Sequence, residues 1–233
     1  MLTDLYDMFH LALFWDYRVA LLTGLAESIG VFLASAVLAS LLALPIGMIR
    51  TSRKWSFRFL SATYAEVFRN TPEYVLLVLA YYVLPVIISR LLSTKLTFAP
   101  LPTAIFTLGF IYSGFMSETV RTGLLAVPRG HREAAFALSM SRTDIMRRIV
   151  LPQALRRMLP DILNQYVSLF KATSIVSLIS VEDIMYRVSM INAEQAQPLP
   201  LYTGAALLYC AVVIAASQSI QTLTRRWRQS GWA

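Results

Sequence analysis

One cysteine, Cys210, stands in a chain of 233 residues, which excludes a disulfide framework and a cysteine-based metal site. Lying inside an apolar run, it reads as packing. Histidine is almost as scarce. His10 and His131 are far apart and expected on opposite sides of a membrane, and Met140, Met146, Met185 and Met190 form no metal-binding run, so no metal site is expected. No G-x-x-x-x-G-K-[ST] phosphate loop occurs and no nucleophile with its base is recognisable, so neither an ATPase site nor a soluble-style enzyme is expected in this chain. A basic start followed at once by an apolar core is missing, which argues against a cleavable signal peptide. Repeats and low-complexity tracts are missing as well. Charge is low: 15% of residues, against about 25% in an ordinary soluble domain.

What fills the space is apolar, 57% of the chain. A hydrocarbon core about 30 Å thick needs roughly 20 residues of helix to cross it. Five runs qualify: Ile29 to Ile49, Tyr74 to Ser89 with a more polar piece before it, Leu96 to Ser117, Ile162 to Ser180 interrupted by Lys171, and Leu201 to Ser219. They lack the alternation of barrel strands, and backbone in lipid must satisfy its own hydrogen bonds, so an all-α membrane bundle of about five helices is expected. Residues 1–26 read as a short amphipathic segment at the outer interface, with Phe9, Leu13, Phe14 and Tyr17 at helical spacing, or as an outward extension of the first helix. Pro45 and Pro85 are tolerated as kinks. Pro100 and Pro102 place the start of the third helix, and Arg225, Arg226 and Trp227 read as an interfacial anchor.

The net charge of +8 would suggest nucleic acid in a soluble protein, but here the basic residues sort by side of the membrane. Arg50, Arg53, Lys54 and Arg58 follow the first span. Arg121, Arg129, Arg132, Arg142, Arg147, Arg148, Arg156 and Arg157 follow the third, and Arg225, Arg226 and Arg228 the fifth. Fifteen of the 21 basic residues thus share one side. The other side has only Arg18, Arg90, Lys95 and Arg187, accompanied by Asp4, Asp7, Asp16, Glu182, Asp183 and Glu194. The positive-inside rule then puts the N-terminus outside and the C-terminus in the cytoplasm. No nucleic-acid partner is expected; membrane lipid is.

The loop after the third span is the most distinctive part. Ala126-Val127-Pro128-Arg129-Gly130 should end that helix, and a short cytoplasmic helix should begin near Arg132. Glu133 would sit in its first turn, complementing the helix end by about 0.3 to 1 kcal/mol. Ala134, Ala135 and Ala137 keep it slim enough to enter a groove. Ile149, Leu151 and Pro152 mark the entry to the fourth span, with Pro152 fixing a bend. By composition alone, an interfacial connecting helix and a docking helix both fit.

Glu133-Ala134-Ala135 with Ile149, Leu151 and Pro152 at their spacing resembles the EAA loop of the permease subunits of bacterial ATP-binding-cassette importers. Leu151-Pro152-Gln153-Ala154-Leu155-Arg156, Pro160, Asn164 and Phe170-Lys171-Ala172-Thr173-Ser174-Ile175 are similar to the subfamily importing polar amino acids and opines. So are Phe68-Arg69-Asn70-Thr71-Pro72 and Ser117-Glu118 through Arg121. The resemblance runs over residues 20–225. It implies a type I importer permease fold in the bacterial inner membrane, with residues 130–146 as the coupling loop of a single transmembrane domain. It also implies a second permease subunit, a dimer of ATP-binding subunits that holds ATP and Mg, a periplasmic solute-binding protein, and a polar amino acid as cargo. Asn70, Glu73, Ala172 and Ser139 depart from the pattern. The usual residue at 139 is glycine, which could end the helix with positive φ. Serine would incur roughly 1 kcal/mol in that conformation, so the helix is expected to run one residue further or to cap differently.

Charges inside a span cost about 2.5 to 3.5 kcal/mol each on insertion scales, so Glu66, Arg69, Glu73 and Lys171 need partners or a watery path. On one helix Glu66 and Arg69 are i,i+3 and Arg69 and Glu73 are i,i+4, so the three should share a face. That face is either an internal ion cluster or a pathway in which Arg69 meets a carboxylate and a glutamate meets an ammonium. Lys171 needs a counter-charge from elsewhere, Glu118 being one possibility. Thr173, Ser174 and Ser177 read as pathway lining or as helix-packing glue. Two rival classes remain, an ion-gradient-driven secondary transporter and a non-transporting scaffold or channel subunit. The lack of an inverted repeat and the small number of spans weigh against the first.

Overall fold

The computed structural model describes residues 15–229, which form eight helices in chain order and, among the described residues, no strand. They are α1 (Arg18–Ile49), α2 (Trp55–Asn70), α3 (Glu73–Leu92), α4 (Pro100–Leu125), α5 (Arg129–Ala137), α6 (Arg142–Ile179), α7 (Ile184–Gln195) and α8 (Pro198–Gln229). By length and composition, four are able to cross a membrane: α1, α3, α6 and Pro198–Ile220 of α8. The remaining expected span is α4, whose 26 residues reach about 39 Å at 1.5 Å per residue. Its hydropathy is diluted by Thr103, Thr107, Ser113 and Ser117, all buried. Of the expected N-terminal segment, residues 18–26 belong to α1, while Phe9, Leu13 and Phe14 lie outside the described residues.

Helix α1 shows why the fold needs lipid. Val19, Leu22, Ala26, Ile29, Leu33, Val37, Leu41, Leu44 and Met48 recur every three or four residues and are all exposed. The opposite face, with Leu21, Ser28, Val31, Ser35, Ala39 and Ala43, is buried. A helix apolar all round is a membrane helix, and the exposed stripe is the side that hydrocarbon or another apolar surface covers.

Two prolines are accommodated by one device. Pro85 and Pro152 each lack an N–H, and each ring would crowd the carbonyl four residues back. In α3 a π turn, Leu79–Val83, precedes Pro85, and in α6 a π turn, Ile145–Val150, precedes Pro152. The wider winding absorbs the clash and the helix continues. Pro152 therefore does not separate the cytoplasmic helix from the membrane helix: α6 begins at Arg142 and passes through it.

The described residues divide into two compact units, one from within 1–35, 73–108 and 167–233, the other from 36–72 and 109–166. In the first, Leu21, Ile184, Val188, Ile191, Leu201 and Ala205 form a buried core. Residues Thr173–Ile179 of α6 wind as a 3-10 helix, which closes on Ser180 at φ 66°. The Ser180 N–H reaches the Ser177 carbonyl at 3.1 Å, and the Val181 N–H the Val176 carbonyl at 3.3 Å. Asp183, fully buried, then caps α7 by accepting the Tyr186 N–H at 2.8 Å and the Tyr209 hydroxyl at 3.3 Å. Helix α1 comes close against this loop: a Cβ on Gly24 would lie 2.9 Å from the Asp183 carbonyl oxygen.

Burial raises the Asp183 carboxyl from 3.8 to about 6, against the opposing pull of its capping bonds. A raised carboxyl means that the folded state holds the proton more tightly between those two values. Stability should fall as pH rises from about 4 to about 6, by about 3 kcal/mol from this group, and level off above. Asp183→Asn is expected to flatten that part of the profile. Thermal unfolding of both proteins across pH 4 to 7 measures it, and equal slopes would contradict it.

The second unit has its core in Val120, Leu124, Val127, Ala135, Ile145, Val150, Ala154 and Met158, contributed by α4, α5, α6 and the α4–α5 turn. Tyr64 of α2 meets Ser113 of α4 at 2.6 Å, and Ser40 of α1 meets Tyr166 of α6 at 2.7 Å. Helices α1 and α4 touch at Gly47, where a Cβ would come within 2.6 Å of the Val120 side chain and 2.8 Å of the Ser117 carbonyl.

Candidate functional site

Helix α5 is built for presentation. Pro128 caps it with extended backbone, φ −55° and ψ 137°. It begins at Arg129, earlier than the sequence suggests, because the first-turn N–H groups have no intrahelical partner and so Gly130 breaks nothing there. Glu133 consequently sits beyond the first turn, and no acidic residue occupies that turn. The expected helix-end role of Glu133 is therefore absent. Its carboxylate is exposed and unpaired among the described residues.

The far end of α5 overturns a second expectation. Ser139 adopts the left-handed conformation, φ 59°, that glycine would take. The Ser139 N–H bonds to the Phe136 carbonyl at 2.9 Å and the Met140 N–H to the Ala135 carbonyl at 3.2 Å, the paired bonds of a Schellman cap. Met140 packs on the core cluster that includes Ala135, supplying the apolar contact that accompanies this cap. Ser139→Gly should stabilise the segment by about 1 kcal/mol. A thermal unfolding midpoint that does not rise would contradict this. After the turn, Ser141 caps α6 by accepting the Asp144 N–H at 3.1 Å and donating to the Asp144 carboxylate at 2.6 Å. The joint between the short helix and the membrane helix is thus the 138–141 turn.

The motif residues split by face. Ala135 is 3% exposed and packs with Ile145, Val150 and Ala154, with Ile149 partly buried against them. Leu151 is half-buried and Pro152 exposed. Ala134 and Glu133 are exposed, as are the apolar Phe136 at 53% and Leu138 at 77%. Sequence reading did not single out Phe136 and Leu138, although Glu133 and Phe136 are i,i+3 and so fall on one face. Two arginines brace the base of the helix: Arg132 donates to the Leu124 carbonyl at 2.7 Å and Arg157 to the Ala126 carbonyl.

The charged residues of the second unit form a cluster around Glu118. Arg50 reaches Glu118 at 2.7 Å and Glu66 at 3.9 Å, and Arg69 reaches Glu118 at 3.8 Å and Glu66 at 3.7 Å. Arg121 chelates Glu118 through Nε, 3.0 Å from Oε2, and through Nη2. Arg69 also lies over the Phe115 ring, and Asn70 donates to Glu66 at 2.7 Å, a bond glycine could not make. Arg50 was expected only as an orienting loop charge, and Arg121 as such a charge at the end of a family-like stretch. Glu73 does not share a helix face with Arg69: Pro72 forces Thr71 extended, ending α2 at Asn70, and Glu73 opens α3, where its charge suits the helix start. Glu118 is engaged by three arginines. Lys171 is exposed and Ser174 half-buried. Thr173 is fully buried, its hydroxyl donating to the Phe170 carbonyl at 2.7 Å.

Residues 35–229 match the family described as "Binding-protein-dependent transport system inner membrane component". The chain is 32% identical to the probable glutamine ABC transporter permease protein GlnP of Bacillus subtilis, over 95% of this chain and 96% of that protein. It is 33% identical to the octopine transport system permease protein OccM of Rhizobium meliloti, over 84% of this chain and 80% of that protein. A crystal structure of an amino acid ABC transporter with histidines contains a chain that superposes with a TM-score of 0.82 at 25% identity, covering 91% of this chain and 95% of that one. The helical fold, the apolar spans and these likenesses agree: the chain belongs to the family of binding-protein-dependent transport system inner membrane components, as a multi-pass permease of the ATP-binding-cassette class.

Proposed function

We propose that this chain is the membrane subunit through which an ATP-driven importer of the bacterial inner membrane moves a polar amino acid or an opine to the cytoplasm. The observation that carries the reading is α5: a short helix held to its own core by Ala135 while Glu133, Ala134, Phe136 and Leu138 face outward. An exposed apolar pair on the charged side of the chain fits a groove on a partner. The partner is a dimer of ATP-binding subunits, which holds ATP and Mg, and a second permease subunit and a periplasmic solute-binding protein complete the assembly. ATP-driven closure of the partner moves α5, and the core it shares with α4 and α6 carries that motion to the membrane helices. Glutamine and octopine permeases among the relatives support the choice of substrate class. Glu66, 54% exposed by side chain, and Arg69 at 30% are the pathway candidates of the second unit, and exposed Lys171 is one of the first.

The test is uptake into proteoliposomes holding this chain, its ATP-binding subunit and its binding protein. Glutamine-type uptake that requires luminal ATP is the expected result. Uptake that needs an ion gradient and no ATP would replace this reading with a secondary transporter.

A further inference from the structure

The start of α2 is exposed all the way round. Every residue from 53 to 60 is exposed, among them Trp55 at 67%, Phe57 at 53%, Phe59 at 58% and Leu60 at 70%. Further along, the same helix buries Ser61 and Ala65 in the second unit. The Arg58 N–H bonds to the Lys54 carbonyl at 3.2 Å, so Lys54 belongs to the first turn. Lys54, Arg58, Ser61 and Ala65 then follow one another at steps of three and four residues and lie on one stripe. The stripe that α2 buries therefore continues beyond its own core, where it is open and carries two cations.

Aromatic and aliphatic side chains flank those cations. Trp55 and Phe59 stack on one side, ring centroids 5.3 Å apart, and Phe57 and Leu60, i,i+3, lie on the other, with Lys54 Nζ 5.7 Å from the centre of the Phe57 ring. Arg53, Lys54 and Arg58 make no ion pair among the described residues, and no Asp or Glu occurs between Arg50 and Glu66 in the sequence. Arg50, three residues before Arg53, is by contrast closed on Glu118. Three exposed cations thus share two turns of chain with four exposed apolar side chains. Trp and Phe beside Lys and Arg is the composition of a helix lying in a membrane interface, rings at the level of the head groups and charges on the phosphates. Lysine is depleted at protein–protein interfaces, which weighs against a second protein here.

We infer that residues 53–60 bind the phosphate head groups of anionic phospholipids in the leaflet at the basic side of the chain. Lys54 and Arg58, neighbours on one stripe, hold the phosphate, Arg53 adds to the field, and Trp55, Phe57, Phe59 and Leu60 enter the boundary with the acyl chains. The site does not depend on which solute is carried.

The test uses the full chain in lipid nanodiscs, with Trp15→Phe, Trp227→Phe and Trp232→Phe leaving Trp55 as the sole tryptophan. Phosphatidylglycerol or phosphatidylcholine brominated on its acyl chains is the quencher, so a fall in Trp55 fluorescence reports lipid. Phosphatidylglycerol is expected to be preferred on the order of ten-fold at about 20 mM salt, and much less at about 0.5 M. Lys54→Gln and Arg58→Gln should each lower the preference about five-fold, and adding Arg53→Gln to both should abolish it. Lys54→Arg and Arg58→Lys, which keep the charge, should keep the preference, and Lys95→Gln, on the other side of the membrane, should not change it. Equal quenching by the two lipids, a preference that survives loss of all three cations, or its loss in the charge-keeping variants would overturn the site. Absence of quenching by either lipid would also overturn it, by showing that water or a protein surface covers Trp55.

Discussion

Glu118→Ala should be the most damaging single substitution in the second unit, lowering stability by about 3 to 5 kcal/mol. The carboxylate is the common partner of Arg50, Arg69 and Arg121. Arg50 depends on it most, since its side chain is 8% exposed and its other partner, Glu66, stands 3.9 Å away. Deleting the hub leaves a buried guanidinium that can neither lose its proton nor reach water. The helix ends it ties belong to α1, α2 and α4, so the loss is shared by three elements. Adding Arg50→Met to Glu118→Ala should recover much of the stability, because removing both buried charges is often neutral where removing one is not. Thermal unfolding in detergent of the single and double variants checks this. A single variant within about 1 kcal/mol of the parent, or a double variant worse than the single, would contradict it.

The second large effect concerns the two faces of α5. Ala135 is packed among Ile145, Val150 and Ala154, so Ala135→Asp buries an unpaired carboxylate and should release α5 from its core, at a local cost of several kcal/mol. The Phe136 and Glu133 side chains are exposed and make no hydrogen bond or ion pair among the described residues. Phe136→Asp and Glu133→Lys should leave the unfolding midpoint of the chain within about 1 °C while removing contact surface from a partner. An aromatic anchor at the centre of an interface is worth about 2 kcal/mol or more, roughly a thirty-fold loss of affinity. Substitutions at 135 and at 136 therefore fail for different reasons, one by unfolding the lever and the other by freeing it from the hand.

Legibility from sequence followed the range of the physics. Long apolar runs are properties of single segments against a uniform slab of lipid, so helix type and the position of the short helix after α4 were readable. The motif showed where α5 lies but not how it is turned, because Ala135 and Ala134 are chemically alike and only packing against Val150 and Ala154 separates them. Ser139 was misjudged because the intrinsic preference against positive φ is about 1 kcal/mol, which two Schellman bonds and the Met140 contact outweigh. Glu73 was placed on the wrong helix face by treating Pro72 as part of a continuous helix, although the residue before a proline avoids helical backbone. Arg50 could have been joined to the cluster only by knowing that Gly47 lets α1 and α4 touch, which is a tertiary fact.

The outward face of α5 is proposed above as the seat of an ATP-hydrolysing partner. Equilibrium binding of the separately purified ATP-binding subunit to this chain in nanodiscs tests it most directly, with the parent, Phe136→Asp and Ser139→Gly compared at matched folding. Phe136→Asp is expected to weaken binding at least thirty-fold, Ser139→Gly to bind as well as the parent or better, and neither to change the far-ultraviolet spectrum of the chain. Parental affinity in Phe136→Asp would contradict it and move the docking surface off α5.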